Sequence, residues 1–86
     1  MLVVGFSRNV VRIGGAVGVN LDKGLSSKLD KSILYDMYFN INNELLLVGR
    51  NRPVNVNGSS YCITVDGKNN HLLGSVVNVI VEVSKK

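Results

Sequence analysis

The chain contains an internal repeat: residues 54 to 84 rewrite residues 10 to 41, keeping the apolar pattern and dropping most of the charge. Val11-Arg12-Ile13-Gly14-Gly15-Ala16-Val17-Gly18-Val19-Asn20-Leu21-Asp22 lies over the stretch from Val54 to Asp66 when one extra residue is allowed in the second turn, and beyond it the spacing holds at 44 residues. Asp22 then falls on Asp66, Leu29 on Leu73, and Ile33, Tyr35, Met37 and Phe39 fall on Val77, Val79, Val81 and Val83. A repeat of roughly forty residues means that one small unit is paired with itself in a single chain. The 86 residues suffice for one core and not for two, so the copies must share an interior. The expectation is one domain over residues 1–86, with a first repeat over about 1–49, a degenerate second over about 54–86, and residues 49–53 joining them.

A hydrophobic fraction of 45% with 19% charged residues excludes a disordered tail, and the apolar runs are too short for a membrane span. No basic segment followed by an apolar stretch opens the chain, so a cytoplasmic location is expected. Cys62 is the single cysteine, which precludes an intramolecular disulfide and reads as a small core residue. With His71 the single histidine and no third orienting group, neither a Cys-His nucleophile nor a metal cluster is indicated. No catalysis, cofactor, metal or small-molecule substrate is expected. The formal charge of +4 favours an acidic partner such as nucleic acid.

Leu2 to Ile13 is rich in β-branched residues and reads as one long strand running into a tight turn at Gly14-Gly15. Val17, Val19 and Leu21 alternate with Gly18 and Asn20, giving a short strand with one apolar face. Asp22 stands at a helix N-cap, and Leu25 and Leu29 follow at i, i+4 for about two turns. Ile33, Tyr35, Met37, Phe39 and Ile41 then alternate with Leu34, Asp36, Tyr38 and Asn40 up to Asn42-Asn43, a pair suited to a two-residue hairpin. Gly49 to Pro53 shows neither period and reads as a connector. The second copy repeats strand, turn and strand, caps a weaker helix at Asp66, and ends with a strand over Val76 to Val83. Its missing fourth partner is expected to come from a first-copy strand or from a second chain.

The run from Arg12 to Leu21, followed by an acidic cap and an amphipathic helix, resembles the AbrB-like swapped-hairpin family of transition-state regulators and MazE-type antitoxins. The resemblance covers about residues 7 to 48 well and 54 to 83 weakly. It implies interleaved hairpins closing into a small β-barrel with one or two short helices, here as an intramolecular pseudo-dimer that leaves room for a homodimer. It also implies double-stranded DNA as partner, with Arg12 and Arg8 of the first hairpin meeting it. Arg50 and Arg52 of the connector are the supporting candidates, since arginine grips phosphate through paired N–H groups. Two departures stand out: Asp22 and Asp66 replace the proline that the family commonly has at the helix start, and Asn55 stands where the first copy has Arg12. The resulting expectation is a small DNA-binding transcriptional regulator. The alternative is a protein-interaction or scaffolding module that keeps the fold and has lost DNA. On the bland reading, Lys23, Lys28 and Lys31 are a solvated helix face, and Tyr35 and Phe39 are core.

Overall fold

Strand pairing follows the alternation closely, and the departures fall where the chain passes from one sheet to another. The computed structural model describes residues 3–84. Among them are β1 (Val3–Asn9), β2 (Val11–Ile13), β3 (Ala16–Leu21), β4 (Tyr35–Ile41), β5 (Glu44–Arg52), β6 (Asn55–Asn57), β7 (Ser60–Thr64) and β8 (Val76–Val83). A one-turn helix, α1 (Lys23–Ser26), links β3 to β4, and a 3-10 helix over Gly67–Leu72 links β7 to β8. The strands form two four-stranded antiparallel sheets, ordered β1-β8-β4-β5 and β2-β3-β7-β6. The expected mainly β architecture with short helices is therefore present. The expected closed barrel is not: among the described residues β1 and β5 remain edges of one sheet and β2 and β6 edges of the other.

The expected first strand is two strands in different sheets. Val10 is buried at the break; its N–H donates to Ser75 O at 2.8 Å and its C=O accepts from Gly74 N–H at 2.9 Å. Those bonds remove Val10 from both ladders and turn the chain between sheets. Pro53 and buried Val54 form the corresponding passage from β5 to β6, where proline has no N–H to offer a ladder. Residues 49–52 are thus not a connector but the end of β5. An edge strand tolerates their irregularity: the register shifts opposite Tyr35 and Met37, and Asn51 sits in the left-handed region at φ 54°.

Ile13 pairs with Ala16 and Asn57 with Ser60, so both turns hold two residues and the expected insertion in the second is absent. Gly14 and Gly58 take φ 59° and 64° at the same place in each turn. Asn42 and Asn43, at φ 52° and 65°, close the β4–β5 hairpin at the Ile41–Glu44 pair, as a primed turn requires. The β8 strand lies between β4 and β1, so a strand from the start of the chain supplies its missing partner. Leu2 and the terminal Lys85 and Lys86 lie outside the described residues.

The two apolar faces meet as the period of two dictates. Tyr35, Met37 and Phe39 of β4 pack with Val77, Val79 and Val81 of β8 and with Val19 and Ile63 of the other sheet, all buried. Asp22 Oδ1 accepts the Leu25 N–H at 2.8 Å, the cap expected of it. The helix nonetheless lasts one turn, because Ser26 and Ser27 turn their hydroxyls onto the Lys23 and Gly24 carbonyls and Gly24 has poor propensity. Asp66 makes no side-chain cap at all; its carboxylate is used elsewhere. At the centre of the second sheet β3 and β7 approach so closely that a Cβ on Gly18 would lie 2.7 Å from Thr64 Cα. Gly18→Ala is therefore expected to cost roughly 3 kcal/mol, read as a lower denaturation midpoint; an unchanged midpoint would refute this packing.

Candidate nucleic-acid interface

Four arginines carry the expected DNA contact, and the structure divides them into two pairs with different work. Arg8, on the edge strand β1, donates from Nε to Asn20 O at 3.0 Å, from Nη1 to Ser7 O at 2.9 Å and from Nη2 to Asp22 Oδ2 at 2.8 Å. Its guanidinium also sits 5.3 Å from the centroid of the Phe6 ring. Arg52, on the opposite edge strand β5, donates from Nε to Thr64 O at 3.1 Å, from Nη2 to Thr64 Oγ1, and from Nη1 to Asp66 Oδ1 at 3.5 Å. Arginine and aspartate are 14 residues apart in both ion pairs. Each guanidinium joins an edge of the first sheet to a central strand of the second.

These contacts give Asp22 and Asp66 work beyond helix capping. The Leu25 N–H, and after it the Arg8 guanidinium, hold the Asp22 carboxyl below the usual carboxylate range. Asp66 accepts the Arg50 N–H at Oδ2 (3.2 Å) as well as Arg52, which is why it leaves its helix uncapped. Asn69, standing where the first copy has Leu25, donates to Val48 O at 2.8 Å and fastens the 3-10 helix to β5. A carboxylate neutralises each arginine, and half-buried geometry holds it. Arg8 and Arg52 are thus both engaged within the chain.

Arg12 and Arg50 are different. Both are exposed, and among the described residues no hydrogen bond or ion pair holds either guanidinium. Arg12 sits on β2 opposite Val17, next to the Gly14 turn. Because the strand breaks at Val10, Arg8 and Arg12 lie in different sheets and do not share the face expected of a regular strand. In the second hairpin the ladder position matching Arg12 is Val56, opposite Tyr61, and not Asn55. Val56 is 70% exposed. Arg50 lies on the side of Tyr38, whose phenol is pushed up by burial and by Glu82 and drawn slightly down by Arg50.

The remaining charges sort the same way. Asp30 is tied to Ser32, and Asp36, buried beneath the irregular end of β5, accepts from Asn51 N–H at 3.0 Å and Ser84 Oγ at 2.8 Å. Glu82 accepts from Tyr38, and Lys31 donates to Ser26 O at 2.7 Å with its Nζ 4.6 Å from the centroid of the Tyr61 ring. What is left exposed without such partners, among the described residues, is Arg12, Lys23, Lys28, Arg50 and Lys68, against Glu44 alone. The positive balance lies in groups free to meet solvent or an anion.

Among the described residues no three His, Cys, Asp or Glu side chains gather as a metal would need. Cys62 is buried in β7, and burial pushes its thiol up, away from the thiolate. The chain matches no protein-family model, no curated protein and no solved structure.

Arg8→Ala and Arg52→Ala should each lower thermal stability, by about 1–2 kcal/mol, because each leaves a strand carbonyl without its charged donor. Arg12→Ala and Arg50→Ala should leave the melting temperature within a degree or two. Equal effects from all four would undo the division into pairs. A thiol reagent should modify Cys62 slowly in the native protein and rapidly in denaturant; fast native labelling would contradict its placement.

Proposed function

We infer that the chain is a small DNA-binding regulator of the AbrB-like kind, built as a single-chain pseudo-dimer. The observation that carries the DNA reading is the set of exposed cations left over once every internal pairing is made: Arg12, Lys23, Lys28, Arg50 and Lys68. Such groups attract the phosphate backbone irrespective of sequence, with release of its counterions. Arg12 stands beside the first hairpin's turn, where a guanidinium has the reach and freedom to enter a groove or straddle a phosphate. Arg8 and Arg52 act at one remove, by holding the edge strands to the sheet that presents that turn.

The tandem reading is supported by strand pairing that repeats across the halves. Taking β1 to β4 as one unit and β5 to β8 as the other, each unit's first strand pairs with the other unit's last, and the two short hairpins flank a shared β3–β7 ladder. That is an interleaved arrangement. The Arg8–Asp22 and Arg52–Asp66 pairs fall at matching places within it. On this reading the units differ at the hairpins, cationic at Arg12 and apolar at Val56, so DNA is met unequally.

Exposed Val56 favours a second reading, in which the second hairpin contacts a protein and DNA is not a ligand. Titration of the chain with duplex DNA at two salt concentrations separates them. The regulator binds at low salt with a steep salt slope, and Arg12→Ala combined with Arg50→Ala lowers that slope by about 2, near one per lost phosphate contact, while leaving the fold intact. Absence of binding at low salt, or a slope untouched by the double substitution, would reject this proposal.

A further inference from the structure

The β5 strand carries three consecutive leucines at the edge of its sheet. Leu45 and Leu46 are 54% and 37% exposed, Leu47 beside them is half-buried, and the strand that carries all three ends its sheet. The Asn42-Asn43 turn makes Ile41 and Glu44 a bonded pair, and bonded pairs alternate along an antiparallel ladder. Leu46 therefore bonds inward to Phe39, and the N–H and C=O groups of Leu45 and Leu47 point away from the sheet. From Val48 onward the edge is closed: Val48 O accepts from Asp66 N–H and from Asn69 Nδ2, both at 2.8 Å, and Arg50 N–H is taken by Asp66. The open stretch is short, leucine-only and unguarded by lysine or proline, the usual protections of an edge.

We propose that this edge pairs with the same edge of a second copy of the chain, β5 against β5 antiparallel about a two-fold axis through Leu46. In that register Leu45 of each copy exchanges backbone bonds with Leu47 of the other, so four donors and four acceptors that point away from the sheet are satisfied reciprocally. Leu46 meets Leu46. On the outer face, where Leu45 neighbours Asn40 and Leu47 neighbours Tyr38, each Leu45 lies against the other copy's Leu47. A segment that reads Leu-Leu-Leu in both directions has the self-complementarity that a two-fold contact demands. A foreign extended peptide would find a ladder of only three residues, whereas a second copy brings leucines that cover the ones it meets.

Three paired residues a side fall far short of the roughly 20–30 of a stable specific interface, so the pair is weak and reversible, populated at high concentration or where two copies are held close. Arg12 lies on the other sheet and stays open, so a dimer presents two such hairpins. The contact does not depend on DNA binding and is tested without DNA. Sedimentation of the full chain from about 10 μM to about 1 mM should show the mass rising from 9.3 kDa toward twice that value. Leu45→Lys, at an exposed position, should move the association to at least about tenfold higher concentration. In the unsubstituted chain the Leu45 and Leu47 amides should gain exchange protection as concentration rises. A chain that stays monomeric throughout, a dimer indifferent to Leu45→Lys, or a dimer whose Leu45 and Leu47 amides stay unprotected would each overturn the proposal, the last two by placing the contact elsewhere.

Discussion

The β3–β7 ladder is the contact on which the rest of the molecule depends. It lies at the centre of the second sheet, both short hairpins hang from its sides, and Gly18 permits its close approach to Ile63 and Thr64 by having no side chain. Its inward residues, Val19 and Ile63, meet the inward residues of the β4–β8 ladder, where Met37 pairs with Val81 and Phe39 with Val79. Each ladder joins an early strand to a late one. Neither half of the chain encloses a core without the other, so the molecule must form as one cooperative unit.

Among the described residues the two sheets do not close onto one another by continuous pairing, and polar side chains add to the joining made by their apolar faces and by the Asp66 N–H to Val48 O bond. Arg8 and Arg52 cross from opposite edges of the first sheet to backbone carbonyls of the second. A guanidinium suits this task because it offers several donors in a fixed plane and remains charged throughout. Its charge is then balanced locally by Asp22 or Asp66. Arginines placed this way add to the formal charge of the sequence without adding to the charge available at the surface.

Formal charge and the charge that can meet an anion therefore differ in this chain. The sequence places four arginines near hairpin or connector segments and treats them alike. The structure leaves Arg12 and Arg50 unpaired among the described residues and uses the other two as braces. Any anion-binding property therefore rests on fewer arginines, on lysines at the start of each helical turn and beyond, and on one hairpin more than on its counterpart. The spacing of 14 residues between arginine and aspartate, present in both halves, was the signal by which the braces could have been found. With Val11 set on Val54 the spacing is obscured, since Arg8 then falls on Asn51 and not on Arg52.

Local pattern by itself determined which residues face inward, where the hairpins turn and which strand ends the chain. Buried Phe39 stands between Tyr38 and Asn40, Asn42-Asn43 tolerates left-handed φ, and Asp22 caps a helix, all through interactions within a few residues. Tertiary structure alone decided what depends on groups distant in sequence. Val10 breaks a strand because Gly74 and Ser75 claim its backbone, and residues 49–52 join β5 because an edge strand admits bulges. Asp36 goes inside, against its place in the alternation, because Asn51 N–H and the Ser84 hydroxyl are there to satisfy it. Periodicity reports the face a residue prefers; only the assembled fold supplies the partners that overrule it.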